Sequence, residues 1–511
     1  MTLRNGDLFT IVTYFSLTLG IGFWCMRKNR SSEDYFVGGR RIPGWAVGIS
    51  YIGAAISSIT FLAYPGNAYA KDWNLLVPGL MLPFAAYIGG WIFAPFYRAC
   101  RYTSAYEYLE GRFSPGIRLY GVVMYGIQQA WRLGSVLYLL SIPIQKMTGW
   151  DPVFVILVVG VTTTIYSVVG GVEAVIWTDV MQTLVFLLGG LGCVTIVFMW
   201  PGVGPAKVFE TAFADNKFNL TADTAFSFTR ETIWVLVLWG FISNIQEHVS
   251  DQIKIQRYCA VPSDRAAKNS VMFNGVMCIP VWCLFMFIGT CLYAFYKVVS
   301  DPALSGLKSD QVFPHFILTR MPVGMSGLVI AGILAAAMST LSATMNAVAT
   351  VATVDIYKRY FVRDRDDRHY LTSGKVFSLI AGLAMIVTAL LVQRTRQDTF
   401  LPMSFFITSV TVGGLAGLFC IGFFSTRTNT AGMYVGIIAN VLVTIYLTLS
   451  AIDGVLPEAI RSPTHKFMIG VFSNIVCFVV GYLASFFFQT PGSEKVDRAT
   501  FWTTRKSHGE E

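Results

Sequence analysis

One arginine stands where arginine is costly. Arg132 lies in Gln128-Gln129-Ala130-Trp131-Arg132-Leu133-Gly134, well inside an apolar stretch of helical length. A charge at mid-membrane costs about 2.5–3.5 kcal/mol on insertion scales. Snorkelling to the surface is hard from that depth. The side chain must face a protein interior and find a partner. A guanidinium holds a carboxylate through a bidentate fork. A solute carboxylate would serve, and so would a structural acid or a set of backbone carbonyls. Gln128 and Asn244, with Gln129 and Gln246, offer hydrogen bonds to a solute. Trp131, Tyr125 and Tyr138 would either stack on a sugar ring or pack in the core.

A second chemistry is written in hydroxyls. Residues 335–346 read Ala-Ala-Ala-Met-Ser-Thr-Leu-Ser-Ala-Thr-Met-Asn. Helical spacing puts Ser339, Ser342 and Asn346 near one face, with Thr340 and Thr344 also aligned. A single membrane hydroxyl usually bonds back to its own helix. A cluster can instead offer neutral oxygens to a hard cation such as sodium. Two other stretches, Gly48–Thr60 and Trp239–His248, mix glycine with small hydroxyl and amide residues. Both are expected to be broken helices, whose freed carbonyls are tolerated only beside a cavity or an ion. Glu247 and His248 are expected near the inner mouth, solvated.

These residues need a membrane-embedded frame, and the composition supplies one. Of 511 residues, 54% are hydrophobic and 13% charged, half the charge of a soluble protein (about 25%). Mean hydropathy is +0.57. A soluble enzyme, a disordered tail and a nucleic-acid binder are excluded as the main reading. The net charge of +9 fits the Lys/Arg excess of cytoplasmic loops. The odd count of nine cysteines, mostly in apolar runs, makes neither a disulfide framework nor a zinc site.

About 20 apolar residues span a bilayer. Thirteen spans are expected, near 8–26, 44–68, 75–97, 116–145, 152–170, 176–199, 232–250, 270–296, 325–355, 373–393, 401–425, 431–451 and 466–488. The first ends in Arg27-Lys28-Asn29-Arg30 without a cleavage site and reads as a retained helix. Alternate loops carry 24 Lys and Arg on one side and 13 on the other. The N-terminus is thus expected outside and the C-terminus cytoplasmic, in the plasma or inner membrane. The loop 171–175 has no Lys or Arg and breaks the rule. Asn219-Leu220-Thr221 fits the glycosylation pattern.

The two interrupted spans lie five apart. That suggests two five-helix halves, 44–199 and 232–425, joined by an outer loop 200–231. Residues 1–43 precede them, two helices (426–490) follow, and 491–511 form a tail. Transporters with inverted repeats place solute and ion at such breaks.

At these residues the chain resembles the sodium/solute symporter family, over about residues 8–490. The resemblance rests on Asp34-Tyr-Phe-Val-Gly-Gly-Arg-Arg-Ile-Pro-Gly-Trp45, Ser57-Ser58-Ile-Thr60-Phe61, Tyr166–Gln182, Asp251–Tyr258 and Asp355-Ile-Tyr-Lys358, in the family's order. It implies a LeuT-type core of two inverted five-helix repeats, all α and integral to the membrane. It implies sodium as the coupling ion, held by carbonyls of Gly53, Ile56 and Ala336 and hydroxyls of Ser339 and Thr340. Some members hold a second sodium with an aspartate and two serines. Asp179 and Ser342 match, but the second serine is Ala343, which cannot ligate. Among members, bacterial sialic acid transporters are most similar, through Asp72-Trp73, Tyr106-Glu107-Tyr108 and Arg132. In those, the arginine binds the solute carboxylate, and residues matching Ser57 and Thr60 contact solute. Ala55 and Gly79 depart from that pattern.

The expectation is therefore a sodium-coupled symporter importing a small organic solute by alternating access, with a carboxylated sugar such as sialic acid as substrate. A neutral sugar or polyol is the alternative. A transporter-like sensor is a third reading, which the short tail disfavours. No catalytic motif marks an enzyme. The expected partners are the solute and the lipid bilayer, not nucleic acid; oligomeric state is not legible.

Overall fold

A computed structural model describes residues 4–220, 223–394, 397–492, 496 and 500–503. Thr221 and most of the tail 491–511 lie outside them. Among the described residues every regular element is helical. The long helices are α1 (Asn5–Met26), α2 (Gly44–Ala55), α3 (Ser58–Ala70), α4 (Asn74–Ala99), α5 (Pro115–Thr148), α6 (Pro152–Met199), α7 (Ile233–Ser250), α8 (Gln252–Ala260), α9 (Asp264–Val298), α10 (Met325–Phe361), α11 (Asp367–Arg394), α12 (Gln397–Val412), α13 (Leu415–Phe424), α14 (Thr430–Ala451) and α15 (Met468–Ala484).

Nine helices among the described residues are long and apolar enough to cross a membrane, or ten with the bent pair α2–α3 as one span. By length and hydropathy the described helices thus supply ten of the thirteen spans expected, and α6, at 48 residues, is long enough to cross twice. Straight, the 48 residues of α6 would reach about 72 Å, against a bilayer core of about 30 Å. The helix instead turns at Gly171 (φ 58°, ψ −156°), a backbone region open essentially to glycine alone. A Cβ there would sit 2.8 Å from the Tyr35 carbonyl. The hairpin returns Gln182 to the level of Tyr166. Tyr166 donates to the Met338 carbonyl (3.1 Å), and Gln182 donates to the Tyr14 hydroxyl (3.0 Å), which itself contacts Met338 Sδ (3.3 Å). This turn is the loop 171–175 that lacked Lys and Arg. It has no loop to charge, and its Glu173 pairs with Lys28 instead (2.6 Å).

The core centres on α10, whose apolar stretch is almost wholly buried. It packs on both arms of α6 and on α1 and α5. Asp7, at the start of α1, accepts from the backbone N–H groups of Gly324 (2.7 Å) and Gly327 (3.0 Å) at the head of α10, where a carboxylate suits the helix dipole. At the opposite end Arg118 pairs with Asp355 (2.6 Å) and Glu110 (2.8 Å), and Arg359 with Glu110 (2.5 Å). All nine cysteines are free.

Candidate solute and cation site

The first expected break is present. After α2 the chain leaves helical geometry at Ile56 (φ −91°, ψ 111°) and Ser57 (φ −100°, ψ 168°). It resumes as α3, bent 59° from α2. The sequence causes this locally: Ser57 Oγ accepts from the Thr60 amide (3.3 Å) and caps α3.

The break is pressed onto α6 and α10. A Cβ on Gly53 would meet Thr183 Oγ1 at 2.8 Å, Ser339 Oγ at 3.0 Å and the Asp179 carbonyl at 3.3 Å. Only glycine lets three oxygens approach so closely. Ile56 and Ala336 share one buried cluster, and Ser339 and Thr340 are buried. Ser339 donates to Asp179 Oδ1 (2.6 Å) and Thr340 to the Ala336 carbonyl (3.2 Å). Both hydroxyl protons are thus turned away, which leaves oxygen lone pairs for a cation.

Asp179 is more committed than the sequence suggested. Its carboxylate also accepts from Ser50 (2.5 Å) and forms an ion pair with Arg257 Nη2 (2.8 Å). Both charges are almost fully buried, and Arg257 Nε donates to Ser50 Oγ (2.9 Å). Ser342 Oγ is turned back onto the Ser339 carbonyl (3.2 Å). Arg257 lies within the Asp251–Tyr258 motif, where the sequence alone assigns it no role. The available signal was Asp179 itself, since a buried carboxylate requires a cation.

The second expected break is displaced. Residues 239–248 lie in the continuous helix α7, and the interruption falls at Asp251 (φ −82°, ψ 119°), between α7 and α8. The polar side chains there support the helix. Asn244 donates to the Gly240 carbonyl (2.7 Å) and Ser250 to that of Gln246 (2.9 Å). Glu247 is half exposed, as expected. His248 is not: it is fully buried, with Nδ1 2.6 Å from the Tyr258 hydroxyl.

Arg132 lines two adjoining cavities. One, of about 100 Å³, is walled by Tyr51, Ala55, Asn244, Glu247, Asp251 and Trp282. The other, of about 250 Å³, is walled by Tyr125, Gln128, Trp239, Gln246, Thr408 and Val412. Arg132 is half-buried and makes no hydrogen bond or ion pair within the described residues. Arg132, Gln128 and Asn244 are therefore brought together. Ser57 and Thr60 are not: their hydroxyls lie 3.4 Å apart at the cap of α3, and neither lines these cavities. Of the three aromatics considered, Tyr125 lines a cavity with its hydroxyl unpaired. Trp131 points away and bonds Ser404 (3.0 Å), and Tyr138 belongs to the core.

A broken helix clasped by hydroxyls, next to an arginine-lined cavity, is what known proteins of similar sequence can be compared against. Residues 35–440 match the model of the sodium:solute symporter family. The sodium/sialic acid symporter NanT of Aliivibrio fischeri is 28% identical over 97% of this chain and 96% of its own. The sodium/sialic acid symporter SiaT of Proteus mirabilis is 30% identical over 92% and 93%. The human sodium/iodide cotransporter is 31% identical over 85% and 68%. A solved Na+-coupled sialic acid symporter, substrate-bound and outward-open, superposes with a TM-score of 0.88 at 29% identity, covering 95% of this chain and 98% of that one. Mhp1, a nucleobase-cation symporter in a closed conformation, superposes at 0.57 with 12% identity and 92% and 99% coverage, which shows the shared LeuT-type fold. The chain is a multi-pass membrane protein and a sodium-coupled transporter, not an enzyme, and it belongs to the sodium:solute symporter family.

Proposed function

We propose that this symporter imports a carboxylated sugar of the sialic acid class, and that sodium is held at the α2–α3 break by Gly53, Ile56, Ala336, Ser339 and Thr340. The observation that carries the solute class is Arg132, a guanidinium in a cavity wall that makes no hydrogen bond or ion pair among the described residues. A burial site this costly calls for an anionic partner, and a carboxylate fits the fork. Gln128 and Asn244 flank it, and Ser57 and Thr60 would join from the break. The sodium/sialic acid relatives support the same class.

The N-terminus is outside and the C-terminus cytoplasmic in this scheme. Sodium clamps the break to α6 and α10, solute binds beside it, and both leave toward the Lys/Arg-rich end. Residues 44–199 and 232–425 act as the two repeats. The second cation position, at Asp179 and Ser342, is the weaker one. Its carboxylate is engaged by three donors, and Ala343 supplies no oxygen.

One observation favours the neutral-solute alternative: Glu247 and Asp251 share the cavity with Arg132, so the guanidinium faces acids of the protein itself. Energetics separate the two. A charge crossing 100 mV gains about 2.3 kcal/mol, and a tenfold sodium gradient about 1.4. One sodium with a neutral sugar uses both, for roughly 500-fold accumulation; one sodium with a monoanion moves no net charge and keeps about tenfold. The test is uptake of labelled N-acetylneuraminic acid into proteoliposomes with an inward sodium gradient, against equal potassium. Sodium-dependent uptake is expected. Uptake of labelled neutral sugars alone, in the same vesicles, would overturn the carboxylate assignment.

A further inference from the structure

Thr183 is a buried hydroxyl with nothing to do. It is 2% exposed, and among the described residues its Oγ1 has no hydrogen-bond partner. Threonines inside membrane helices normally donate to the carbonyl one turn back. Three others on α6 do: Thr164 to Gly160 (2.7 Å), Thr178 to Ala174 (2.9 Å) and Thr195 to Leu191 (2.9 Å). Thr183 does not. It stands against Gly53, where Thr183 Oγ1, Ser339 Oγ and the Asp179 carbonyl all come within 3.3 Å of one point beside the glycine.

We propose that Thr183 is a further residue of the sodium site, and that its hydroxyl oxygen faces the ion from α6. The proposal rests on the sodium site assigned above. Two of that site's side chains come from one helix, α10, and its remaining oxygens from backbone. A neutral oxygen from α6 suits a hard cation, which takes six or more oxygens where geometry allows. It also gives the ion a hold on a third helix, so occupancy ties α2 to α6 as well as to α10. Ser339 links the two groups directly, because its proton goes to Asp179 one turn before Thr183 on α6. An unpartnered hydroxyl is disfavoured in an apolar interior, and a cation ligand is a role that removes the penalty.

The test is the sodium half-saturation of uptake for Thr183→Val, Thr183→Ser and Ser339→Ala, with sodium-induced thermal stabilisation measured in detergent in sodium chloride against choline chloride. Valine keeps the shape and removes the oxygen. Thr183→Val is expected to raise the sodium half-saturation by about fivefold or more and to shrink the sodium-induced shift in Tm. Thr183→Ser should stay within about twofold of the parent. A Thr183→Val protein with unchanged half-saturation overturns the proposal. So does one whose Tm falls equally in both salts while its sodium shift is intact, since that marks a packing role. If Thr183→Val does not fold, Thr183→Ala is read by the same two measures. Unchanged sodium dependence in Ser339→Ala as well would instead overturn the sodium site on which the proposal rests.

Discussion

The two polar regions of this membrane core solve the same problem in opposite ways. Around the α2–α3 break, polar groups are packed against one another: Asp179 is met by Ser50, Ser339 and Arg257, and nearly every hydroxyl has its proton placed. Around Arg132 they are spread over two cavities, and among the described residues the guanidinium makes no hydrogen bond or ion pair, although Glu247 and Asp251 share its cavity. Buried charge is tolerable when paired and hydrogen-bonded, and costly otherwise. On the proposed reading, the first region is stable around a small ion. On the same reading, the second holds its polarity in reserve for a solute.

That contrast can be broken most forcefully at Arg257. Arg257→Leu leaves Asp179 buried without its cation, and the expected loss is about 3–5 kcal/mol. The double variant Arg257→Leu/Asp179→Asn should recover much of it. Chemical denaturation or thermal melting in detergent checks both, and equal melting of wild type and Arg257→Leu would show that the pair carries no stability. Arg132→Gln should behave in the reverse sense. Charge-assisted hydrogen bonds contribute about 1.5–3 kcal/mol each, so affinity for an anionic solute should fall by about 10- to 100-fold while Tm is unchanged or rises. Isothermal titration with N-acetylneuraminic acid reads the first and a melt reads the second.

Gly53→Ala sharpens the comparison from the cation side. Its methyl group would enter the space of Thr183 and Ser339, costing about 1–3 kcal/mol by overpacking. Sodium should then no longer raise Tm. The smallest effect lies outside the membrane core, in the loop before the helix Ser309–Arg320. Hydrogen bonds from His315 first, then from the Ala303 amide and Arg320, hold the Asp301 carboxyl down at about 2. A depressed carboxyl stabilises above its ordinary value and loses that contribution as pH falls toward the depressed one. Asp301→Asn should therefore lower Tm slightly near pH 7, and the gap should narrow below about pH 4 and close near pH 2.

The spans were legible because run length and hydropathy are local properties, and the bilayer sets their scale. The α2–α3 break was legible for the same reason: Ser57 caps α3 through Thr60, three residues away. The break expected in 239–248 was not where the composition pointed. Asn244 and Ser250 satisfy the helix they sit on, and composition alone does not distinguish a polar residue that interrupts a helix from one that braces it. Arg257, Ser50 and Thr183 were missed because their meaning is tertiary. Arg257 meets Asp179 across 78 residues, and Thr183 matters only because Gly53 lies beside it. His248 was misjudged because Tyr258, from α8, folds over it.

The central claim is that ion and solute occupy separate but coupled sites. Coupling is reciprocal and reads as a change in affinity. The most direct measurement is the Kd for N-acetylneuraminic acid in sodium chloride against choline chloride, for wild type and Ser339→Ala. Sodium should tighten wild-type binding by about tenfold or more, and Ser339→Ala should lose most of that gain while retaining its sodium-free affinity. Equal affinity in the two salts for the wild-type protein would contradict the account.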